Sequence, residues 1–155
     1  MECSAAASLC TKQTSKPLKP GHAIREYEIV EGSKLKYVGP GQVEFDGVRF
    51  KAVRDLGHMS EADLRRMIER RRNPSDVRGI RLDGHHHRQQ YHREDGAFIV
   101  EVPTDSHCIS NRLQHPLGNS GGLTKEQRAD WNKVRNAFNI ERAKNELMRR
   151  GLSVD

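Results

Sequence analysis

Residues 82–88 read Leu-Asp-Gly-His-His-His-Arg, and their three adjacent histidines come two residues after the largely apolar segment Ile-Arg-Leu at 80–82. A second apolar run, residues 97–102, follows a polar, glycine-containing turn at residues 93–96. Two such runs separated by a turn predict two strands. Because neighbouring side chains of a strand face opposite ways, one histidine of an adjacent pair can bind a metal ion while the next one addresses water.

Histidines are concentrated around this segment, since six of the eight in the chain lie between positions 85 and 115. Imidazole binds divalent transition metals and titrates near neutral pH, so the cluster favours a metal or acid–base site. A helix is expected after residues 103–105, with His107 and Asn111 on one face, about 6 Å apart along the axis. His115 would lie about 12 Å from His107 on a continuous helix and joins the site only if the helix ends before Pro116.

The ordered series of these motifs resembles the HNH/endonuclease VII superfamily, the ββα-metal or His-Me finger nucleases. The series comprises residues 82–89 with the three histidines, residues 102–111 (Val-Pro-Thr-Asp-Ser-His-Cys-Ile-Ser-Asn) and residues 114–119 (Gln-His-Pro-Leu-Gly-Asn). Within the superfamily the chain is most similar to toxin nucleases with a triple-histidine signature. These form the C-termini of bacterial polymorphic toxins, such as Rhs-type and type VI secretion effectors. The resemblance covers residues 75–151.

The resemblance implies roles for the histidines of the first strand. His85 would be the metal ligand, and His86 would be the general base that takes a proton from water. His87 would support the base, contact phosphate or fill a structural role, with the supporting role favoured. A frame shifted by one residue, with His86 as the ligand and His87 as the base, stays open.

The resemblance also implies ligands from the helix that follows. His107 would bind the ion, with Asn111 or His115 completing the site; Asn111 stands where colicin-like relatives carry a second histidine. The implied cofactor is a divalent metal ion. Nitrogen and oxygen ligands do not distinguish Mg²⁺, Mn²⁺, Zn²⁺ and Ni²⁺.

The rest of the chain predicts an α+β fold: a small antiparallel sheet region, a ββα-metal finger and a long C-terminal helix. Four β-like runs, separated by glycine-containing turns, are residues 27–30, 35–38, 42–45 and 48–53. Ser60 and Asp63 form a capping pattern that predicts a helix ending at Asn73-Pro74. Thr124 and Gln127 predict a second capping box, at the start of a helix that reaches residue 147.

A single domain is expected at this length. Residues 1–25 are predicted to be a flexible leader or linker, and residues 26–155 a nuclease toxin domain with its ββα-metal core at about 78–120. His92 is predicted to be a loop residue. His22 and His58 are predicted to be structural or exposed.

The chain carries 27 Lys+Arg against 21 Asp+Glu, a formal net charge of +6. This balance favours a polyanion or an acidic protein as partner. Arg88, Arg112, Arg70 and Arg71 are the candidates for positioning phosphates without reading sequence. No stretch approaches the roughly 20 apolar residues of a membrane span, so no membrane segment is expected.

The resemblance implies an antibacterial effector domain that hydrolyses DNA as a monomer. It would be made in the bacterial cytoplasm, exported as part of a secreted effector and active in the cytoplasm of the target cell. An acidic immunity protein would block it in the producing cell. The alternatives are an RNase of the same fold and a non-catalytic, metal-stabilised nucleic-acid-binding module. A closed structural site usually includes several cysteines, and only Cys108 lies nearby, which disfavours the second alternative.

Overall fold

The computed structural model describes residues 21–105 and 122–155, and these residues form an α+β fold. The elements follow in the order β1 (Lys36–Gly39), β2 (Gln42–Phe45), β3 (Val48–Lys51), α1 (Glu61–Arg70), β4 (Leu82–His86), β5 (Ile99–Pro103) and α2 (Lys125–Arg149). Short 3-10 turns at Glu26–Glu28 and His87–Gln89 precede β1 and follow β4. The predicted class, with a sheet and a long C-terminal helix, is confirmed.

All five strands belong to one sheet, in the order β1-β2-β3-β5-β4. β1, β2 and β3 pair antiparallel, as predicted, and the β2–β3 turn uses positive φ angles at Asp46 (52°) and Gly47 (75°). β4 and β5 also pair antiparallel. The two halves are joined because β3 pairs in parallel with β5. The histidine-bearing hairpin is therefore one end of a continuous mixed sheet, and β4 is its edge strand.

The strand predicted at residues 27–30 is wrong, because the chain makes a 3-10 turn at Glu26–Glu28 instead. The Glu28 carboxylate accepts hydrogen bonds from the Arg25 backbone N–H at 2.8 Å and from Arg25 Nε at 3.3 Å. Local side-chain-to-backbone bonds of this kind compete with sheet pairing. Glu28 is buried in this turn, whereas Tyr27 is exposed. The β-like run at residues 27–30 therefore does not form a strand with its apolar side chains facing the core.

The main core lies between the sheet and α2. Phe50 of β3 stacks on Phe138 of α2 with ring centroids 3.8 Å apart, and Trp131 and Val134 extend this contact along the helix. The apolar stripe of α2 thus packs on the core, as its spacing predicts. Ile24 also belongs to this core and is 6% exposed, although the sequence places residues up to 25 in a leader.

Both helices begin where their capping residues predict. Ser60 Oγ accepts a hydrogen bond from the Asp63 N–H, and Thr124 forms a reciprocal capping box with Gln127. In the part of the chain that the structure describes, no helix has the length and apolar character needed to cross a membrane. The capping box sets the residue at which α2 begins, and so determines which side chains of its second turn lie beside β4.

Candidate functional site

The candidate site is built on edge strand β4, which pairs antiparallel with β5 along its whole length. Gly84 and His86 face α2: the Cβ position of Gly84 lies 2.8 Å from Trp131 Cζ2, and the His86 ring meets the Trp131 ring edge-on at 4.7 Å. His85, between them in the strand, therefore faces the opposite side of the sheet. His85 is 9% exposed. The two adjacent histidines thus occupy different faces of β4.

His86 is the first member of a chain of three hydrogen-bonded side chains. His86 Nε2 lies 2.9 Å from His92 Nδ1, and His92 Nε2 lies 2.8 Å from Asp130 Oδ2. His92 is in a loop, as predicted, but its side chain is fully buried. Both imidazoles pack near Trp131, with centroid separations of 4.7 and 5.3 Å. We refer to His86, His92 and Asp130 as the histidine relay.

Asp130 ends the relay as a charged acceptor. Besides His92, its carboxylate accepts hydrogen bonds from the Tyr91 hydroxyl at 3.1 Å and from Arg93 Nε at 2.6 Å. The Arg93 guanidinium lowers the pKa of Asp130 well below its usual range, and the bonds from His92 and Tyr91 act in the same direction, against partial burial. Asp130 is therefore a carboxylate throughout the physiological pH range.

The environment of His86 keeps its imidazole neutral. Burial lowers the pKa of His86 to about 3, and electrostatic interactions with His92, His85 and Arg128 act in the same direction. Neutral imidazole is the form that accepts a proton, so the ring is in the state a general base needs. Such a low pKa also reduces the driving force for proton transfer. A phosphate anion beside the ring would raise the pKa, because opposite charge favours the protonated form.

His87 lies in a different setting, just beyond the end of β4. Its ring stacks on Phe98 with centroids 4.4 Å apart and an interplanar angle of 16°. Lys51 Nζ lies 3.8 Å from the centroid of the same Phe98 ring. The chain then turns through Arg88 and Gln89 at positive φ angles of 55° and 57°. His87 is thus held by ring stacking, whereas His86 is held by polar contacts.

The predicted helix ligands lie outside the part of the chain that the structure describes. His107, Asn111 and His115, together with Arg112, fall within residues 106–121, outside the described part of the chain. Among the predicted metal ligands, only His85 has a described position. An imidazole nitrogen on the face of the hairpin opposite the relay is a suitable donor for a divalent metal.

The predicted phosphate-binding arginines that the structure describes are exposed. Arg88 lies in the 3-10 turn that follows β4, and Arg70 and Arg71 end α1. Earlier in α1, Arg65 and Arg66 form ion pairs with acidic residues of the preceding turn, at 2.9 and 2.7 Å. Their charge is therefore compensated, whereas within the described ranges Arg70 and Arg71 form no ion pair. The positive charge of α1 is concentrated at its C-terminal end.

An open cleft of about 420 Å³ lies beside His92 and Phe98. Its charged lining residues are mixed in sign: the positive ones are Arg49, Lys51 and Arg93, and the negative ones are Glu44, Glu94 and Asp95. Three positive and three negative groups give the cleft no clear preference for a polyanion. It therefore adds no support for a nucleic-acid path on this side.

A second polar cluster joins the N-terminal segment to the sheet. Among the described residues, His22, Glu28 and Asp55 are the group that converges closely enough to hold a metal ion. His22 Nε2 lies 2.9 Å from Glu28 Oε2, and His22 Nδ1 lies 3.5 Å from Asp55 Oδ1. Because each ring nitrogen already faces a carboxylate, a histidine bridging two acids accounts for the contacts without an ion. His22 is thus structural as well as exposed.

Sequence reasoning missed the role of His92 and Asp130. The two residues lie 38 positions apart, and no local spacing links them. A weak signal existed, because Asp130 immediately precedes Trp131 of the apolar stripe, which places its side chain beside the core-facing edge of α2. Comparison of the chain with protein-family models, curated proteins and solved structures finds no match.

Proposed function

We propose that the protein is a metal-dependent endonuclease that hydrolyses phosphodiester bonds, with DNA as its substrate. The observation that carries the proposal is the placement of His85 and His86 on opposite faces of β4, with His86 neutral and hydrogen-bonded to a buried partner. A hydrolase needs this division between a metal-binding side chain and a base. The motif series after β5 supports the same function.

In the proposed reaction, His86 takes a proton from a water molecule as the water oxygen attacks phosphorus in line with the leaving 3′ oxygen. One O–H bond and the P–O3′ bond break, and a new P–O bond forms. The products are a 5′-phosphate and a 3′-hydroxyl, whose proton comes from solvent. His86 then returns its proton to solvent. Water is the co-substrate, and no oxidant or reductant is needed.

A divalent metal ion would be held by His85 and His107, with Asn111 or His115 as the further ligand. When bound, such an ion supplies Lewis-acid stabilisation of charge on the scissile phosphate. His85 contributes a mostly buried imidazole, on the face of β4 away from the histidine relay. His86 is left to act on water rather than on the ion.

Affinity for nucleic acid would come from charge. Arg88 is exposed in the turn after the histidine-bearing strand, and Arg70 and Arg71 are exposed at the end of α1. Arg112 would add a fourth contact. With a net charge of +6, the chain favours polyanions, and phosphate contacts of this kind position a duplex without reading its sequence.

We propose the biological context from the motif series together with charge. A nuclease of this kind would serve as an antibacterial effector domain, exported from the producing cell and acting in the cytoplasm of the target. An acidic immunity protein would then protect the producer, since complementary charge speeds and orients association. Recovery of no tight partner on the immobilised chain from the producing strain would argue against this context.

The test of activity is incubation of supercoiled plasmid and total RNA with the wild type in Mg²⁺, Mn²⁺ or EDTA. We expect metal-dependent nicking of the plasmid that EDTA abolishes and His86→Ala removes. His58→Ala is the matched control, because His58 is exposed and its ring contacts only the Ser75 carbonyl, at 2.6 Å, among its described hydrogen-bond partners. It should retain the wild-type rate.

Each alternative gives a different pattern in the same assay. Degradation of RNA with intact plasmid would replace the DNase proposal by an RNase. Survival of both substrates in every metal would refute catalysis and favour the metal-stabilised binding module.

A further inference from the structure

The hydrogen-bond directions within the histidine relay can be assigned from its last member. A carboxylate only accepts hydrogen bonds, so His92 Nε2, 2.8 Å from Asp130 Oδ2, must carry the proton. A second proton on His92 Nδ1 would create a cation with no solvent exposure, next to the Arg93 guanidinium that shares Asp130. His92 Nδ1 is therefore an acceptor. Its partner at 2.9 Å, His86 Nε2, must then be the donor.

Asp130, the last member of the histidine relay, is itself held in place by Arg93. Arg93, which bonds Asp130, also donates to the Asp46 backbone carbonyl at 2.8 Å and pairs with the Asp46 carboxylate at 3.0 Å. Asp46 lies in the turn between β2 and β3. Arg93 thus ties Asp130, on α2, to the turn between two strands of the sheet. This leaves the His92 ring little freedom to flip and exchange the positions of Nδ1 and Nε2. Contacts of this kind orient functional imidazoles and fix their tautomer.

We propose that His92 and Asp130 are positioning residues that hold His86 in the Nε2–H tautomer and leave its Nδ1 lone pair as the acceptor of the reaction. The assignment of the tautomer stands on the described hydrogen bonds, the burial of His92 and the adjacent Arg93 charge. Its catalytic consequence rests on the proposed function. The proton taken from water is received at His86 Nδ1. His92 and Asp130 touch no reacting atom and act only through His86.

The direct test is long-range ¹H–¹⁵N correlation spectroscopy of the full chain labelled at histidine nitrogen, near neutral pH and free of metal. Signals of His86 and His92 are assigned by their loss in His86→Gln and His92→Gln. We expect both rings to show a protonated Nε2 and an unprotonated Nδ1. A His86 ring protonated at Nδ1, or at both nitrogens, would overturn the proposal.

The variant Asp130→Asn removes the charged acceptor while keeping nearly the same shape. We expect the single tautomer of His86 to be replaced by a mixture, and turnover of plasmid to fall about 10- to 100-fold with little change in KM. The matched control is Glu126→Gln, which removes a negative charge from the first turn of the same helix and should change neither. An unaltered His86 spectrum in folded Asp130→Asn would also overturn the proposal.

The experiments distinguish a failure of the positioning role of His92 and Asp130 from a failure of the proposed nuclease function. If the wild-type spectrum shows the expected tautomers but no metal supports cleavage, the assignment of the relay stands and the nuclease function falls. If cleavage depends on His86 but is the same in Asp130→Asn as in the wild type, the nuclease function stands and the positioning role falls.

Discussion

At Gly84, strand β4 packs closely against Trp131 of α2. A Cβ atom there would lie 2.8 Å from Trp131 Cζ2, 2.9 Å from Trp131 Cη2 and 3.0 Å from Ile99 Cγ2. All three atoms belong to rigid, buried side chains, so they cannot move aside at little cost. The missing side chain lets His86 reach its position beside Trp131.

We therefore expect Gly84→Ala to destabilise the protein by about 1–3 kcal/mol, the usual cost of overpacking a core. Gly39→Ala is the matched control in the same sheet, because its nearest neighbouring atom would be 3.6 Å away. It should change the free energy of unfolding by less than about 0.5 kcal/mol. Urea unfolding of both variants decides the question, and equal stabilities would contradict the packing argument.

Asp130 should make the stability of the protein depend on pH. Its pKa is lowered in the folded state, mainly by Arg93, so the protonated form is disfavoured by folding. The stabilisation is present above the ordinary aspartate value and is lost as the pH falls towards the lowered one. The advantage of the wild type over Asp130→Asn in free energy of unfolding should thus shrink below about pH 4. A difference that stays constant from neutral to acidic pH would contradict this assignment.

At the scale of elements, the start of α2 determines where Asp130 lies. The Thr124 hydroxyl accepts from the Gln127 N–H at 3.1 Å, and the Gln127 side chain accepts from the Thr124 N–H at 2.9 Å. Asp130 follows within the next turn, so fraying of this end would loosen the acceptor of the histidine relay.

Thr124→Ala should cost about 1 kcal/mol of stability, the typical value for a lost N-cap. Thr124→Ser keeps the hydroxyl and should stay close to the wild type. Thermal or urea unfolding of the pair measures the effect. A loss of the same size in both variants would show that packing of the Thr124 methyl group, rather than the hydrogen bond, is responsible.

Local patterns predicted the elements well where the signal is itself local. The capping residues Ser60 and Thr124, the apolar stripe of α2 and the turn at Asp46-Gly47 all lie within a few residues of the structure they specify. The 3-10 turn at Glu26–Glu28 was missed because its cause includes a contact from Glu28 to His22 rather than periodicity. The opposite faces of His85 and His86 followed from strand geometry alone.

At the scale of the whole molecule, a buried ion pair joins the sheet to α2. Arg142 and Glu101 have side chains only 2% and 8% exposed, with Arg142 Nη2 3.0 Å from Glu101 Oε1. Arg142 also donates to the Arg54 carbonyl at 3.1 Å, and Arg54 follows β3. One guanidinium thus connects β5, the end of β3 and the long helix.

Glu101→Leu should cost about 3–5 kcal/mol, because it leaves the Arg142 charge buried without its partner. Adding Arg142→Met should recover much of that loss, since an apolar pair of similar volume needs no compensation. Glu44→Gln, at a partly exposed and longer pair with Arg49 (3.8 Å), is the control and should cost less than about 1 kcal/mol. Double-variant stability no better than that of Glu101→Leu alone would contradict this account of the pair.

Long-range pairing is what sequence reasoning could not supply. The parallel contact of β3 with β5 joins segments on either side of α1, and the His92–Asp130 bond spans 38 residues. Neither is encoded in a repeat, a cap or a turn. The sequence therefore predicted the strand that carries the histidines, whereas His92 and Asp130, which orient His86, were identified only from the structure.

The most direct test of the central claim is the initial rate of plasmid nicking by wild type, His86→Ala and His87→Ala at saturating Mn²⁺. We predict that His86→Ala loses about 10²- to 10⁴-fold in rate, the usual contribution of a general base, while His87→Ala stays within about tenfold of the wild type. Cleavage by His86→Ala at the wild-type rate, or intact plasmid with the wild type itself, would contradict the account.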